Sequence, residues 1–190
     1  MNSISGPYIQ TFIFENTSYM IGFIHQEKTN ISMSKIFNVL EDKLGYRLFR
    51  KLFLLILTDR GSEFAKSEIF QFNNETGELR LQIFYCAAMQ DAQKPHVENN
   101  HNYIRDIIIR DIIPNEVDIT NIKQDDLELM FSHINSTPRA IYNGRTPYEM
   151  FEFLHSKDFD TIITAFNIKK IKREEVVLKL YLLKHIYKQK

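Results

Sequence analysis

A short apolar run that stops abruptly at polar residues constrains the fold of this chain more than any other feature. The run covers residues 53–57, and Thr58, Asp59, Arg60 and Gly61 follow it directly. Apolar residues without alternation are typical of a strand that is buried on both faces. Open α/β sheets hold their functional sites at the carboxyl ends of such strands. The run therefore predicts a buried strand that leads into a candidate site at Asp59, although a turn-capping role alone explains this Asp more simply.

The order of the predicted elements indicates a mixed α/β domain. Aromatic and β-branched runs predict strands early in the chain, and apolar residues at helical spacing predict helices later. Strands alone, then strands mixed with helices, then helices alone are typical of a layered α/β architecture. The predicted strands cover residues 8–14, 19–24, 53–57 and 79–85, and the predicted helices cover residues 33–44, 97–113, 125–134 and 147–154.

Composition excludes several classes of protein. The 190 residues are 44% hydrophobic and 25% charged, which suits a globular domain and not a disordered chain. A single cysteine, Cys86, excludes a disulfide scaffold and a four-cysteine zinc site. No apolar run reaches about 18 residues, so we expect no membrane span. The first residues lack the pattern of a signal peptide, and we expect a cytoplasmic protein.

The charge of this neutral chain is concentrated at its end. Residues 168–190 hold eight lysines and arginines and two glutamates, so residues 1–167 are acidic overall. Clustered cations suit contacts with nucleic-acid phosphates, but a solvated helix surface explains them equally well. We therefore expect residues 1–155 to form the core domain and residues 156–190 to form a basic helical tail.

A second carboxylate, Glu98, lies near the start of the long predicted helix. Taken alone, a Glu in a first turn is explained by the helix dipole. Together, Asp59 on a strand end and Glu98 on a facing helix could bind Mg²⁺, which prefers carboxylate oxygens. Two such ions can hold the attacking and leaving oxygens of a phosphoryl transfer. Arg105 lies seven residues after Glu98, about two helical turns, and could hold a DNA phosphate beside the metals.

Other chemistries find less support in the sequence. It contains no phosphate-binding G-x-x-x-x-G-K-[ST] loop, no dinucleotide fingerprint, no H-E-x-x-H and no G-x-S-x-G. Cys86 with His96 or His101 could suggest a thiol nucleophile. A lone cysteine at the end of a strand is more often part of the core.

Several blocks of the sequence are similar to one known family. Residues 57–64, LTDRGSEF, resemble the T-D-x-G-x-E-F signature of DDE transposases and integrases. Residues 84–86, FYC, and 93–101, QKPHVENNH, resemble the block that carries the glutamate of that superfamily. Residues 131–139, FSHINSTPR, and 143–151, NGRTPYEMF, resemble the block that follows it. In this order the blocks resemble the IS thirty family of bacterial insertion-sequence transposases.

The resemblance implies an RNase H-like integrase core that binds two Mg²⁺ ions, with Mn²⁺ as a substitute, through two Asp and one Glu. It implies cleavage of a donor DNA strand by water and attack of the freed 3′-hydroxyl on target DNA. The implied partners are the DNA of the element ends and target, and a homo-oligomer or an intact transposase. In this resemblance, Asp59 and Glu98 are the catalytic metal ligands, and Lys94, Asn99, His101 and Arg105 lie near the DNA.

The chain departs from the family pattern at its start. The first Asp of the family lies on a strand before the hairpin, where this chain has Asn2 or lacks the strand. The resemblance therefore implies a core shortened at its N-terminus, without the helix-turn-helix region of the family. Asn supplies no charge to a metal. An inactive remnant that binds DNA or co-assembles with an intact transposase is the alternative, and an interaction module without a nucleic-acid role is the third hypothesis.

Overall fold

The computed structural model describes residues 7–58, 61, 64–73, 75–85, 112 and 119–184. These residues fall into two compact units. The parallel-sheet unit contains the described residues 7–8 and 25–85, and the hairpin unit contains residues 9–24, 112 and 119–184. Helices and two small sheets confirm the mixed α/β class.

The strands and some of the helices follow one another in the order that the sequence predicts. The strands are β1 (Tyr8–Phe14), β2 (Tyr19–His25), β3 (Leu55–Thr58) and β4 (Gln82–Tyr85). The helices are α1 (Asn30–Leu44), α2 (Tyr46–Phe53), α3 (Glu68–Gln71), α4 (Gln124–Asn135), α5 (Pro147–Leu154) and α6 (Phe159–Phe166). The helices in the predicted order are α1, α4 and α5, whereas α2, α3 and α6 were not predicted as individual helices. Short 3₁₀ turns cover Ile119–Asn121, Ala140–Tyr142, Arg173–Glu175 and Leu180–Leu183. None of these helices combines the length and the apolar character that crossing a bilayer requires.

In the parallel-sheet unit, β3 and β4 pair in parallel from Leu55 opposite Gln82 to Thr58 opposite Tyr85. Helix α1 begins where the Thr29 hydroxyl accepts the Ser32 N–H at 3.1 Å. It ends at Gly45, whose positive φ of 74° suits glycine, and α2 starts at the next residue. The buried aromatic and aliphatic side chains of this unit include Phe37, Phe49, Phe53, Phe70 and Leu81.

The prediction of a strand buried on both faces over residues 53–57 is wrong in two respects. Phe53 ends helix α2, and the strand covers Leu55–Thr58. Phe49 and Phe53 lie one helical turn apart and both reach the core, so the helix takes the first part of the apolar run. Leu55 is 65% exposed and Leu57 is 46% exposed. One face of β3 is therefore open, and the other face lies towards the interior.

The hairpin unit is organised around strands β1 and β2. The four residues between them are too few for anything but an antiparallel hairpin. The Asn135 side chain binds the backbone of Met20 twice: its Oδ1 accepts the N–H at 2.8 Å, and its Nδ2 donates to the carbonyl at 2.7 Å. Gly22 lies against the Phe131 ring, where an added Cβ would come within 2.2 Å of a ring carbon. These contacts fix the hairpin on helix α4.

The later helices agree closely with the predictions. Helix α5 covers the predicted residues 147–154, and its first turn is closed by reciprocal hydrogen bonds between Thr146 and Glu149. Helix α4 extends the predicted residues 125–134 by one residue at each end. The predicted helix over residues 97–113 lies outside the described residues, apart from the buried Ile112.

In the segment predicted as a basic helical tail, residues 156–190, helix α6 covers Phe159–Phe166, and Asn167 after it takes up the left-handed conformation with φ 53°. Between residues 168 and 183 the described chain has no further α-helix, and its regular elements are the 3₁₀ turns at Arg173–Glu175 and Leu180–Leu183. The segment also packs on α4 within the hairpin unit, where side chains of the helix take its backbone hydrogen bonds.

Candidate functional site

The carboxyl ends of β3 and β4 form one edge of the parallel sheet. Thr58 ends β3 and Tyr85 ends β4, and these two residues are paired in the register. Parallel strands bring the residues that follow them to the same side of a sheet, which is where α/β sheets hold their ligands. Asp59 follows Thr58 in the sequence and Cys86 follows Tyr85, and both lie outside the described residues.

Two described residues that follow Asp59 in the sequence, Gly61 and Phe64, are linked by hydrogen bonds to each other and to Tyr85 at this edge. The Phe64 N–H donates to the Gly61 carbonyl at 2.9 Å, which closes a turn. The Tyr85 hydroxyl donates to the Phe64 carbonyl. The Phe64 ring also packs on Phe70 of α3, with ring centroids 5.6 Å apart. Thr58 and Phe64 are thus both held beside β4, one by strand pairing and the other by a side-chain hydrogen bond.

A buried ion pair lies just before the start of β4, at the opposite end of this strand from Tyr85. Arg80 is fully buried, and its Nη1 lies 3.2 Å from Glu41 Oε2. The guanidinium also donates to the Asn38 side chain and, at 2.8 Å from Nε, to the Phe70 carbonyl. Burial lowers the pKa of Arg80 from its ordinary value, and the interaction with Glu41 opposes this shift. Glu41 is committed to Arg80 and to Asn73, whose amide donates to the same oxygen at 3.0 Å.

The predicted residues of the metal and DNA site lie outside the part of the chain that the structure describes. Within the part of the chain that the structure describes, no group of three or more His, Cys, Asp or Glu side chains is arranged to hold a metal ion. The structure neither brings the predicted residues together nor separates them. Those that lie outside the described residues are Asn2, Asp59, Cys86, Lys94, His96, Glu98, Asn99, His101 and Arg105.

The second candidate surface is the basic strap, residues 168–179. Its backbone is bound to side chains of α4 and of the residue that follows it: the Lys169 N–H donates to Ser132 Oγ at 2.9 Å, and the Ile171 N–H donates to Ser136 Oγ at 2.9 Å. Ser132 and Ser136 are four residues apart and therefore share one face, while the donors alternate along the strap as in an extended chain. The strap is consequently held through its backbone, and its charged side chains, such as Lys169 and Arg173, are exposed.

Several cations of the strap already have partners within the protein. Lys170 Nζ lies 3.6 Å from Glu149 and 3.7 Å from Glu152, both on α5. Lys170 and the backbone N–H of Thr146 together lower the pKa of Glu149, with the larger part from the backbone hydrogen bond. Lys172 pairs with Glu175 at 3.7 Å. Within the strap, Lys169, Arg173 and Lys179 are exposed and form no ion pair with any described residue.

The sequence reasoning missed the groups that hold the strap. Ser132 and Ser136 lie at a four-residue spacing beside the buried His133, and all three carry acceptors for backbone N–H groups. A run of polar residues on the buried side of an apolar helix is the signal that could have indicated this role. The same residues lie within the block at 131–139 that carries part of the family resemblance.

The chain was also compared with known proteins. No protein-family model matches it, and no curated protein sequence matches it.

Proposed function

We propose that the chain is the catalytic core of an insertion-sequence transposase, which binds DNA and performs metal-dependent strand cleavage and transfer. The observation that carries this proposal is the parallel pairing of β3 with β4, with Thr58 opposite Tyr85 at their carboxyl ends. This edge directly precedes Asp59, and α/β sheets bind their ligands at such edges. Asp59 and Glu98 are the proposed ligands of Mg²⁺ or Mn²⁺, and the ions would stabilise the attacking and leaving oxygens.

The proposed fold is an RNase H-like integrase core. Among the described residues, the hairpin and the parallel pair form two separate two-stranded sheets.

The proposed roles of the remaining site residues follow the resemblance. Lys94, Asn99, His101 and Arg105 would contact DNA near the metal ligands, because cationic and amide side chains bind phosphate oxygens. The exposed Lys169, Arg173 and Lys179 would add phosphate contacts from the basic strap. These three cations, which form no ion pair with a described residue, should contribute modestly to DNA affinity. Each phosphate contact would make DNA binding weaken more steeply as the salt concentration rises.

An inactive remnant that binds DNA or co-assembles with an intact transposase is the second candidate. Its support is Asn2, which would take the place of the first Asp of the family that the chain resembles and carries no charge. The remnant would retain the strap and its cations, so it would bind DNA without cleaving it.

The test is nicking of supercoiled plasmid by the purified 190-residue chain in Mg²⁺ or Mn²⁺. We expect Asp59→Asn and Glu98→Gln to reduce nicking on the order of a hundredfold or more, because metal stabilisation of transition-state charge amounts to several kcal/mol. Asp160→Asn, on α6 in the hairpin unit, is the matched control and should nick as the wild type does. Unchanged nicking in Asp59→Asn would refute the catalytic proposal.

If the wild type does not nick, the variant Asn2→Asp decides between the two candidates. Restored nicking would place the missing carboxylate at position 2 and support the transposase core. DNA binding that weakens with salt, without nicking in either chain, would support the remnant. DNA binding that is absent would contradict both candidates and favour the interaction module.

A further inference from the structure

His133 makes the third contact between α4 and the basic strap. Its side chain is buried, with 6% of the residue exposed. The Val177 N–H donates to His133 Nδ1 at 3.0 Å. This contact lies six residues beyond the one at Ile171, past the 3₁₀ turn at Arg173–Glu175, so it fixes the distal half of the strap. Ser132 and Ser136 fix the proximal half.

The three contacts differ in their chemistry. The hydroxyl oxygens of Ser132 and Ser136 accept a backbone N–H at any ordinary pH. An imidazole nitrogen accepts only while it carries no proton, and protonated histidine presents N–H groups on both ring nitrogens. In the protonated ring, Nδ1–H would face the Val177 N–H, and two donors would meet without an acceptor. The hydrogen bond to Val177 therefore requires the neutral ring with its proton on Nε2.

We propose that His133 is a pH-sensitive clasp, which holds the distal half of the basic strap on α4 only while Nδ1 is unprotonated. The inference does not depend on the proposed DNA chemistry, because it concerns how the strap is attached. Protonation is expected to release the strap around Val177 and to leave the contacts of Lys169 and Ile171 in place.

Burial is the cause of the shifted pKa of the His133 ring. On α4, the charged neighbour Glu128 is engaged with Gln124 and Asn167. On the strap, Arg173, Glu174 and Glu175 are exposed, and Glu175 pairs with Lys172. No charged group among the described residues acts on the imidazole. Burial lowers the pKa of His133 from its ordinary value, so the ring becomes protonated only below the usual histidine range of about 6.5.

The experiment is an NMR titration of the full chain from neutral to acidic pH, with the His133 ring nitrogens and the backbone amides observed together. We expect the Val177 amide to lose its hydrogen-bonded chemical shift with the same midpoint as the His133 ring. Its protection from hydrogen exchange should fall about fivefold or more, the ratio that corresponds to one lost hydrogen bond. The amides of Lys169 and Ile171 should keep their shifts and protection, and far-UV circular dichroism should stay constant over the same range.

Two variants separate this clasp from a general effect of acid. In His133→Asn, the side-chain oxygen lies near the position of Nδ1 and does not titrate, so the Val177 amide should stay protected at every pH. His25→Asn is the matched control, because burial also lowers the pKa of His25, whose Nδ1 lies 3.3 Å from Ser32 Oγ in the parallel-sheet unit. It should leave the response of Val177 unchanged.

Three results would overturn the clasp. The first is a Val177 amide that keeps its shift and protection while the His133 ring takes up its proton. The second is a ring that stays neutral down to the pH at which the whole chain unfolds. The third is a His133→Asn chain with the same midpoint at Val177 as the wild type. The first two results come from the titration of the wild type alone. The proposal can therefore be refuted even if the His133→Asn chain does not fold.

Discussion

The two units of this molecule each anchor a sheet with one buried polar side chain, but the two anchors differ in kind. In the hairpin unit, the neutral amide of Asn135 satisfies both backbone groups of Met20 without bringing a charge to that contact. In the parallel-sheet unit, the fully buried guanidinium of Arg80 pairs with Glu41, and its Nη2 finds no hydrogen-bond partner among the described residues. With a neutral anchor, folding replaces hydrogen bonds to water with similar hydrogen bonds inside the protein. A buried ion pair is stable only while both charged partners are present, because removal of one leaves an uncompensated buried charge.

The sheets that these anchors serve also differ in how well they are covered. Tyr19, Met20 and Ile21 on β2 are buried completely or nearly so. On the parallel pair, Leu55, Leu57 and Phe84 share one face and remain about half exposed or more. Parallel sheets are normally covered on both faces. The parallel pair therefore depends more on its one covered side and on the contacts next to it, such as those of Arg80 just before β4.

The largest test of this comparison removes one partner of the ion pair. Glu41→Ala should lower the free energy of unfolding by about 3–5 kcal/mol, because it leaves the buried Arg80 without its counter-charge. The measurement is urea unfolding followed by far-UV circular dichroism, since the chain has no tryptophan. Glu75→Ala, at an exposed turn, is the matched control and should change the stability by less than about 0.5 kcal/mol.

A double variant sharpens the same test. Replacing Glu41 and Arg80 together by Met should recover most of the lost stability, because a packed apolar pair avoids the desolvation of two charges. If Glu41→Ala costs no more than the control does, the ion pair is not what holds the parallel-sheet unit, and the contrast between the two anchors fails.

The second test concerns the neutral anchor. Asn135→Ala leaves the N–H and the carbonyl of Met20 buried without partners, and each such group costs about 1–3 kcal/mol. We expect a loss of about 2–4 kcal/mol in the same urea experiment, somewhat less than for Glu41→Ala. Asn121→Ala, at an exposed position, is the control. A loss for Asn135→Ala that clearly exceeds the one for Glu41→Ala would reverse the ranking of the two anchors.

The sequence predicts the regular elements well where local signals agree. Strands β1 and β2 follow from aromatic and β-branched residues on either side of a turn, and Pro147 with the Thr146 and Glu149 pair marks the start of α5. The sequence fails over residues 53–57, because a short apolar run does not distinguish the end of a helix from a strand.

The buried polar contacts could not be predicted, since they join residues far apart in the chain. Asn135 and Met20 are 115 positions apart, and Arg80 and Glu41 are 39 apart. The start of the basic strap is held in the same way, because the Lys169 and Ile171 N–H groups bind acceptors at Ser132 and Ser136, which lie 37 and 35 positions earlier in the chain. The candidate residues Asp59 and Glu98 follow from motif and resemblance alone, and their arrangement remains a prediction.

The smallest expected effect comes from Tyr19, a defect inside the better-packed unit. Its ring stacks on Phe151 at 4.2 Å between centroids, but its buried hydroxyl has no hydrogen-bond partner among the described residues. Tyr19→Phe keeps the ring and removes a polar group that is desolvated without compensation. We therefore expect unchanged or higher stability at neutral pH, with a gain of up to about 1 kcal/mol.

The pH dependence of the same variant gives an independent check. Burial, with a smaller contribution from Tyr148, raises the pKa of Tyr19 well above its ordinary value. Above about pH 10, an unfolded tyrosine loses its proton while the folded one keeps it, so the wild type loses stability as the pH rises. Tyr19→Phe should make this alkaline loss shallower in urea unfolding at pH 8 to 11. A slope equally steep in Tyr19→Phe would show that the Tyr19 hydroxyl is solvated in the folded protein.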